Sequence, residues 1–273
     1  MKIKVLSAIL VSIVCLTVHH SYAQGVRYQD SVFANYTKTT VTYSTVYNQQ
    51  MDIYQPTGDV LTSRPVLVLA HGGSFTSGDR TNDNTITQLC ADFAHKGYVT
   101  ISIDYRLTTP QNLLNGDSAI VEVLSAVSDG KAAVRYLYEY SDSLKIDTNN
   151  LFIGGNSAGA VLFMQYGYID SISQLSPLFQ SLLGQIGGTL DGNSGNPGYS
   201  SNFKGIINLA GALNVPSWIS YCSKPVVSAQ GTTDQVVPYN CGNPEYGLVP
   251  VTLCGLDSLQ PYITTNTDRK SVV

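Results

Sequence analysis

The sequence predicts an α/β domain with a mostly parallel central sheet, an antiparallel hairpin at its N-terminal end and helices on both faces. The 273 residues are 43% hydrophobic and 12% charged, a composition that suits a packed globular core. An alternating segment near the start gives way to short, continuous apolar runs that are separated by segments of helical character. Strands buried on both faces have such runs, so a parallel sheet covered by helices is expected.

The elements follow in order along the chain. A hairpin is predicted over 39–54, where β-branched or aromatic residues alternate with polar ones. Five later runs are predicted as buried strands: 65–70, 98–103, 151–153, 205–209 and 225–229. One helix is expected over about 85–96, and Gly97 is expected to end it. A second helix is expected because five apolar residues share one face: Ile120, Leu124, Val127, Val134 and Leu137.

The first 23 residues are typical of a signal peptide. Lys2 and Lys4 precede an apolar stretch over 5–18, and small residues at Ser21 and Ala23 favour cleavage after Ala23. The alternative is a membrane anchor, but the stretch is shorter than the roughly 20 residues that span a bilayer. A lipoprotein at Cys15 is disfavoured by the preceding Val14. The expected mature domain is 24–273, secreted or periplasmic, with no membrane span after cleavage.

Charge and cysteine content exclude some classes of partner. The net charge is −4, and loss of a leader with two lysines and no acidic residue makes the chain more negative, so nucleic acid is not an expected partner. Four cysteines remain after cleavage, and their spacing matches no zinc site. Of the three pairings, Cys241 with Cys254 is favoured because they flank a Gly/Pro-containing loop. Cys90 is interpreted as a core residue.

A Gly-x-Ser-x-Gly pentapeptide carries the strongest chemical signal. The apolar run 151–153 leads into Gly155-Asn156-Ser157-Ala158-Gly159, and a helix-compatible segment follows. A tight strand-to-helix turn lifts such a serine out of the sheet, and larger side chains at the two glycines would collide with neighbouring elements. The helix N-terminus favours negative charge that develops nearby. Ser157 is therefore predicted to be a nucleophile.

A second glycine-rich segment, 71–75, directly follows the run 65–70. Acyl transfer develops negative charge on a carbonyl oxygen, and N–H donors fixed around that oxygen are each worth about 3–4 kcal/mol. The donors are assigned to Gly72 and Gly73 together with Ala158, with Ser74 as an alternative. An ordinary glycine-rich turn is the competing interpretation.

With these pieces in this order, the chain resembles α/β-hydrolases of the carboxylesterase and hormone-sensitive-lipase-like group. The resemblance covers about residues 40–273 and is carried by 71–73, 103–107, 155–159 and 231–238. It implies an eight-stranded, mostly parallel sheet and hydrolysis without metal or cofactor. The chain departs from the family in having Ser74 where a third glycine is commoner, which bears on the identity of the oxyanion donors.

The acid of the catalytic triad is predicted to be Asp234. It lies in a turn after the run 225–229, where the family has the acid in the order serine, acid, histidine. Such a carboxylate would orient an imidazole, although many turn aspartates only bind backbone N–H groups. Asp104 is expected instead to anchor a neighbouring loop through Arg106. Neither Asp79 nor Asp129 is a comparable candidate for the acid of the triad.

The sequence offers no clear general base for Ser157. A serine hydroxyl needs one, usually histidine, and only four histidines are present. His19 and His20 belong to the leader, His71 is expected to shape the oxyanion loop, and His95 ends a helix. The expectation is that the chain is a C-terminally truncated fragment, that its histidine lies just beyond Val273, and that the fragment is nearly inactive. A pseudoenzyme is the alternative.

The predicted function is hydrolysis of a small-molecule or polymer-linked carboxylic ester through an acyl-enzyme. A peptidase or polyester depolymerase on the same fold and a non-catalytic binding protein are the alternatives, since fold alone does not decide between them. The Gly/Asn/Ser-rich segment 187–201 predicts an exposed loop, which either borders the substrate entrance or is an inert surface loop.

Overall fold

The computed structural model describes residues 25–222, 224–245 and 247–264. The predicted signal peptide and the chain beyond residue 264 lie outside the described residues. Within the described part, no helix is long and apolar enough to cross a membrane.

Seven strands form the central sheet in the order β1-β2-β4-β3-β5-β6-β7. β1 and β2 pair antiparallel, which confirms the N-terminal hairpin, and β2 pairs antiparallel with β4. All later pairs are parallel. The strands are β1 (Tyr36–Ser44), β2 (Gln49–Pro56), β3 (Arg64–Ala70), β4 (Val99–Ile103), β5 (Ile146–Asn156), β6 (Gly205–Leu209) and β7 (Val226–Ala229). The eighth strand implied by the resemblance is not among the described residues.

Seven α-helices surround the sheet in the described residues. They are α1 (Asn84–His95), α2 (Pro110–Leu113), α3 (Gly116–Glu139), α4 (Ser141–Leu144), α5 (Ala158–Tyr168), α6 (Pro177–Leu182) and α7 (Leu256–Thr264). α1 begins at Asp83, whose side chain accepts hydrogen bonds from the N–H groups of Thr85 and Ile86. A two-stranded ribbon, β8 (Cys241–Gly242) with β9 (Leu253–Cys254), lies outside the main sheet.

Helices cover both faces of the sheet because strand residues alternate between two cores. Val66 and Val68 of β3 belong to the larger core with α3 and α5, whereas Leu67 and Leu69 belong to a smaller core with α1. The five residues predicted to share a face of α3 are all buried. Cys90 is buried in the smaller core, and this burial raises the pKa of its thiol to about 12.

The predicted disulfide is confirmed, since Cys241 and Cys254 are bonded and lie opposite each other in the ribbon. The prediction that the loop 187–201 is exposed is only partly correct. Ser194 is fully buried there, and its hydroxyl donates to Asp129 Oδ1 at 2.5 Å. Arg135 of α3 donates to the Gly195 carbonyl at 2.7 Å. The loop is therefore fastened to α3 because buried polar groups of that helix need partners.

Two expectations about aspartates are corrected by their ion pairs. Asp104 binds Arg80 at 2.8 Å rather than Arg106. Arg106 instead binds Asp129, which is fully buried and had no assigned role. Burial raises the pKa of Asp129 although Arg106 opposes the shift. Both aspartates hold loops at the carboxyl edge of the sheet, and neither lines the cavity at Ser157.

Candidate active site

Ser157 lies on the sharp turn between β5 and α5. Its φ of 52° and ψ of −118° place a residue with a side chain in a sparsely populated backbone region, a strain of order 1–3 kcal/mol. Neighbouring elements hold it there. The Ser157 N–H donates to the Leu209 carbonyl of β6 at 2.8 Å, and its carbonyl accepts from Val161 at 2.9 Å. The strand-to-helix turn expected from the sequence is therefore present.

Both glycines of the pentapeptide lie so close to β3 that a side chain at either position would not fit. A Cβ atom at Gly155 would lie 2.6 Å from the Ala70 carbonyl oxygen, and one at Gly159 would meet the same carbonyl group. The turn is consequently pressed against the end of β3, where the segment 71–75 begins. A Cβ atom on Gly72 would lie only 3.4 Å from Ser157 Cβ, so this segment adjoins the nucleophile.

The segment 71–75 has a backbone suited to presenting N–H groups, with positive φ at Gly73, Ser74 and Phe75. One of its predicted donors has another partner. The Gly72 N–H donates to Asp83 Oδ2 at 2.8 Å, so this N–H is already taken by a carboxylate. The assignment of Gly72 to an oxyanion hole is therefore not kept, and Gly73 and Ser74 are the loop residues that remain for that role.

Asp83 is a residue that the sequence analysis missed. Besides capping α1 and accepting from Gly72, it accepts from Asn156 Nδ2 at 3.1 Å, so it ties the 71–75 segment to the nucleophile turn. Burial opposes ionisation of its carboxyl, but the hydrogen bonds from Gly72 and Asn156 outweigh this and lower its pKa. The only signal in the sequence is an aspartate just before a helix, which many helices have.

Neither described histidine is placed as a base for Ser157. His71 is buried and stacked on Tyr105 with ring centroids 4.3 Å apart, and its Nδ1 lies 2.6 Å from the Gly72 carbonyl oxygen. Burial lowers the pKa of its imidazole. Its ring is held by Tyr105 and by the Gly72 carbonyl and does not line the cavity at Ser157.

His95 lies where the parallel strands begin, at the edge of the sheet opposite to that of Ser157. It ends α1 just before β4 begins, and its Nδ1 lies 2.7 Å from the Phe33 carbonyl oxygen. Ser157 follows the end of β5, and β4 and β5 both run parallel to β3. The start of β4 and the end of β5 are therefore at opposite edges of the sheet.

Asp234 lies in the turn after β7, at the same edge as Ser157. Its Oδ1 accepts from the N–H groups of Val236 and Val237 at 3.0 and 3.1 Å, which leaves Oδ2 outside both bonds. The two valines line the cavity at Ser157, whereas Asp234 does not. The turn that contains Asp234 thus frames the site, and its local hydrogen bonds are those of a turn aspartate.

A mostly apolar cavity opens at Ser157. Aliphatic and aromatic side chains of α2, α3, α5, α6 and the 236–253 region form its walls. Five polar residues line it: Ser74, Ser157, Gln165, Asn214 and Glu245. The Ser74 hydroxyl donates to Glu245, which joins the 71–75 segment to the far wall. No residue of 187–201 lines this cavity, which favours the inert interpretation of that loop.

An apolar cavity with a strained serine and N–H donors at its mouth is equipped for acyl transfer. The described residues contain no group of three or more His, Cys, Asp or Glu side chains that could hold a metal ion.

Comparisons with known proteins agree with this geometry. The model of the BD-FAE family matches residues 51–218. An AB hydrolase superfamily protein of Schizosaccharomyces pombe is 30% identical over 122 residues, which are 44% of this chain and 32% of that relative. The chain therefore spans about a third of the length of this relative.

Solved structures of Thermogutta terrifontis esterase 2 show the same fold. The apo form has a TM-score of 0.61 at 17% identity, over 86% of this chain and 82% of that one. The propionate-bound form has a TM-score of 0.59 at 18% identity with the same coverage. The form phosphorylated by paraoxon has a TM-score of 0.60 at 18% identity and covers 86% and 81% of the two chains.

Proposed function

This chain belongs to the BD-FAE family of esterase-type α/β-hydrolases, and from that premise we propose that it is an exported serine esterase that hydrolyses carboxylic esters through an acyl-enzyme on Ser157. The observation that carries the proposal is the strained turn at Ser157, which lies beside the 71–75 segment at an apolar cavity. Export is inferred from residues 1–23, and N-terminal sequencing of the protein from the periplasm or medium checks it: the expected first residue is Gln24.

In the proposed reaction, Ser157 Oγ attacks the ester carbonyl carbon, and the carbonyl oxygen gains negative charge. The Ala158 N–H opens α5 and has no acceptor within the helix, so it is available for this oxygen. Gly73 and Ser74 would supply further N–H donors from the opposite side. The alcohol leaves with a proton, and water then releases the acid from Ser157.

The proton relay needs an imidazole that the described residues do not place near Ser157. We propose that this histidine belongs to a part of the protein beyond these 273 residues, and that Asp234 orients it through Oδ2. On this account the 273-residue chain by itself is almost inactive. A non-catalytic binding protein is the second candidate, because both described histidines are engaged elsewhere in the fold.

Hydrolysis of p-nitrophenyl acetate by the 273-residue chain and by the full-length gene product tests the proposal. The full-length protein is expected to turn over the ester, and Ser157→Ala is expected to lower kcat by about 10⁴-fold or more. Turnover that survives Ser157→Ala would refute Ser157 as the nucleophile. A full-length protein that binds esters without any turnover would support the binding protein instead.

A further inference from the structure

The loop between Cys241 and Cys254 connects parts of the site that lie far apart in the sequence. Its disulfide closes the loop at its base, where the two cysteines also pair in the β8–β9 ribbon. The Cys254 N–H donates to the Leu213 carbonyl at 2.8 Å, and the Leu213 N–H donates to the Cys254 carbonyl at 3.1 Å. The base of the loop is therefore fixed to the chain that follows β6.

Glu245 lies within this loop and is held by its own backbone. Its N–H donates to the Val236 carbonyl at 2.8 Å, which ties it to the turn that contains Asp234. Its φ of 54° is one that residues with a side chain rarely adopt. The side chain of Glu245 therefore starts from a backbone that the disulfide-closed loop and the Asp234 turn support together.

The carboxylate of Glu245 accepts a hydrogen bond from the Ser74 hydroxyl, 171 residues away in the sequence. Ser74 lies in a strained stretch, because it and Phe75 have φ values of 52° and 60° although neither is a glycine. Such a conformation persists only where surrounding groups hold it. The hydrogen bond to Glu245 is a contact that does so.

The two ends of the 71–75 segment have other partners. The Gly72 N–H donates to Asp83, and the Phe75 carbonyl accepts from the Thr108 N–H at 2.8 Å. Ser74 lies between these two attachments and is held through its side chain. Glu245 therefore fixes the part of the segment from which the remaining oxyanion donors come.

We propose that Glu245 is a positioning residue: through the Ser74 hydroxyl it keeps the N–H groups of Gly73 and Ser74 directed at the carbonyl oxygen of the ester. The inference rests on the proposed function, in which these groups stabilise the oxyanion. It also gives the disulfide a part in the reaction, because the disulfide closes the loop that presents Glu245. The serine at position 74, where a third glycine is commoner, supplies the hydroxyl that makes this contact.

The first test measures the segment itself and does not depend on turnover. The N–H groups of Thr76 and Ser77 donate to the Gly73 carbonyl at 2.9 and 3.0 Å, so their hydrogen exchange reports the order of the segment. In Glu245→Ala, prepared as the 273-residue chain, this exchange is expected to be about tenfold faster. Leu248→Ala, at a 67% exposed position of the same loop, is the matched control and should leave it unchanged. Unchanged exchange in Glu245→Ala would overturn the proposal.

The second test measures turnover of p-nitrophenyl acetate by the full-length protein. Glu245→Ala is expected to lower kcat by about 10–100-fold and to change KM by less than about threefold, because misdirected donors weaken the transition state more than the bound ester. Glu245→Gln keeps an acceptor for the Ser74 hydroxyl and should restore kcat to within about threefold of the wild type. A rise in KM at unchanged kcat would overturn the proposal, since Glu245 would then bind the substrate itself.

A double-mutant cycle shows whether Glu245 acts through Ser74. Ser74→Ala keeps the backbone N–H and removes the hydroxyl, so it should lower kcat as much as Glu245→Ala, and the two together should lower it no further. Losses that add would contradict the proposal. Replacement of Cys241 and Cys254 by alanine is expected to lower kcat to the same extent, again without a further loss from Glu245→Ala. An unchanged kcat without the disulfide would overturn the part assigned to it.

Ser74→Ala decides by itself if Glu245→Ala does not unfold cooperatively, because it removes the same hydrogen bond from the other side. The two proposals fail separately. Ester turnover that survives Ser157→Ala would remove the nucleophile and leave the exchange rates as they are. Unchanged exchange and kcat in Glu245→Ala, with turnover that still requires Ser157, would remove the role of Glu245 alone.

Discussion

The turn at Ser157 and the turn at Asp234 lie at the same edge of the sheet but are held in different ways. Ser157 is fixed by contacts between elements: Gly155 and Gly159 touch β3, and the Ser157 N–H binds β6. Asp234 is fixed mainly by hydrogen bonds within its own turn.

The region around Asp234 depends on a few longer bridges. The Gln230 side chain donates to the Val237 carbonyl and accepts from the Leu256 N–H, both at 2.8 Å, and so links the turn to α7. The disulfide closes the segment between Cys241 and Cys254. The turn at Ser157 is thus held by close packing against the sheet, whereas the turn at Asp234 is held by its own hydrogen bonds and a few bridges, and the site that we propose still needs an imidazole between them.

The largest effect is expected from Gly155→Val. The new side chain would begin 2.6 Å from the Ala70 carbonyl oxygen, and a strand end cannot yield to it. The free energy of unfolding should fall by more than about 4 kcal/mol, measured by urea denaturation. Gly184→Ala is the matched control, since a Cβ atom there has nothing within 4 Å. Equal stability of the two variants would show that the turn is not fixed by close packing.

Asp234→Asn separates the two roles of the carboxylate. Asparagine keeps an oxygen for the N–H groups of Val236 and Val237, so the stability should change by less than about 0.5 kcal/mol. If Asp234 orients the imidazole, kcat of the full-length protein should fall by about 10³–10⁴-fold, because the wrong tautomer is favoured. An unchanged kcat in a stable variant would leave Asp234 as a turn residue only.

A smaller effect is expected from Asp83→Asn. An amide cannot accept from Gly72, Asn156 and the start of α1 together, so the variant should lose about 1–2 kcal/mol of stability near pH 7. The folded pKa of Asp83 is below its ordinary value of 3.8. Its contribution is therefore present above that pH and is lost as the pH falls through the folded value.

Urea denaturation of the wild-type protein and of Asp83→Asn, from pH 7 down to about pH 2, measures how the difference in their stability shrinks as the Asp83 carboxylate is protonated. Asp92→Asn, at an exposed position of the same helix, is the matched control for replacing an aspartate of this region, and its stability near pH 7 should change by less than about 0.5 kcal/mol. A stability difference that stays constant across the series would mean that the Asp83 carboxylate does not tie the two segments together.

The sequence was sufficient where a short segment sets its own geometry. The hairpin, the buried strands, the turn at Ser157 and the disulfide were predicted because periodicity, glycine spacing and loop length are local properties. Contacts between distant residues were not predictable in this way. The pairing of Asp83 with Gly72, of Arg106 with Asp129 and of the 187–201 loop with α3 each joins segments whose proximity only the fold creates.

Labelling with paraoxon tests the central claim, that Ser157 is the nucleophile, most directly. The full-length protein is incubated with the organophosphate, digested and analysed by mass spectrometry. One diethylphosphoryl group is expected per chain, on the peptide that contains Ser157, and Ser157→Ala should remain unlabelled. A phosphoryl group on another residue, or equal labelling of the alanine variant, would contradict the account.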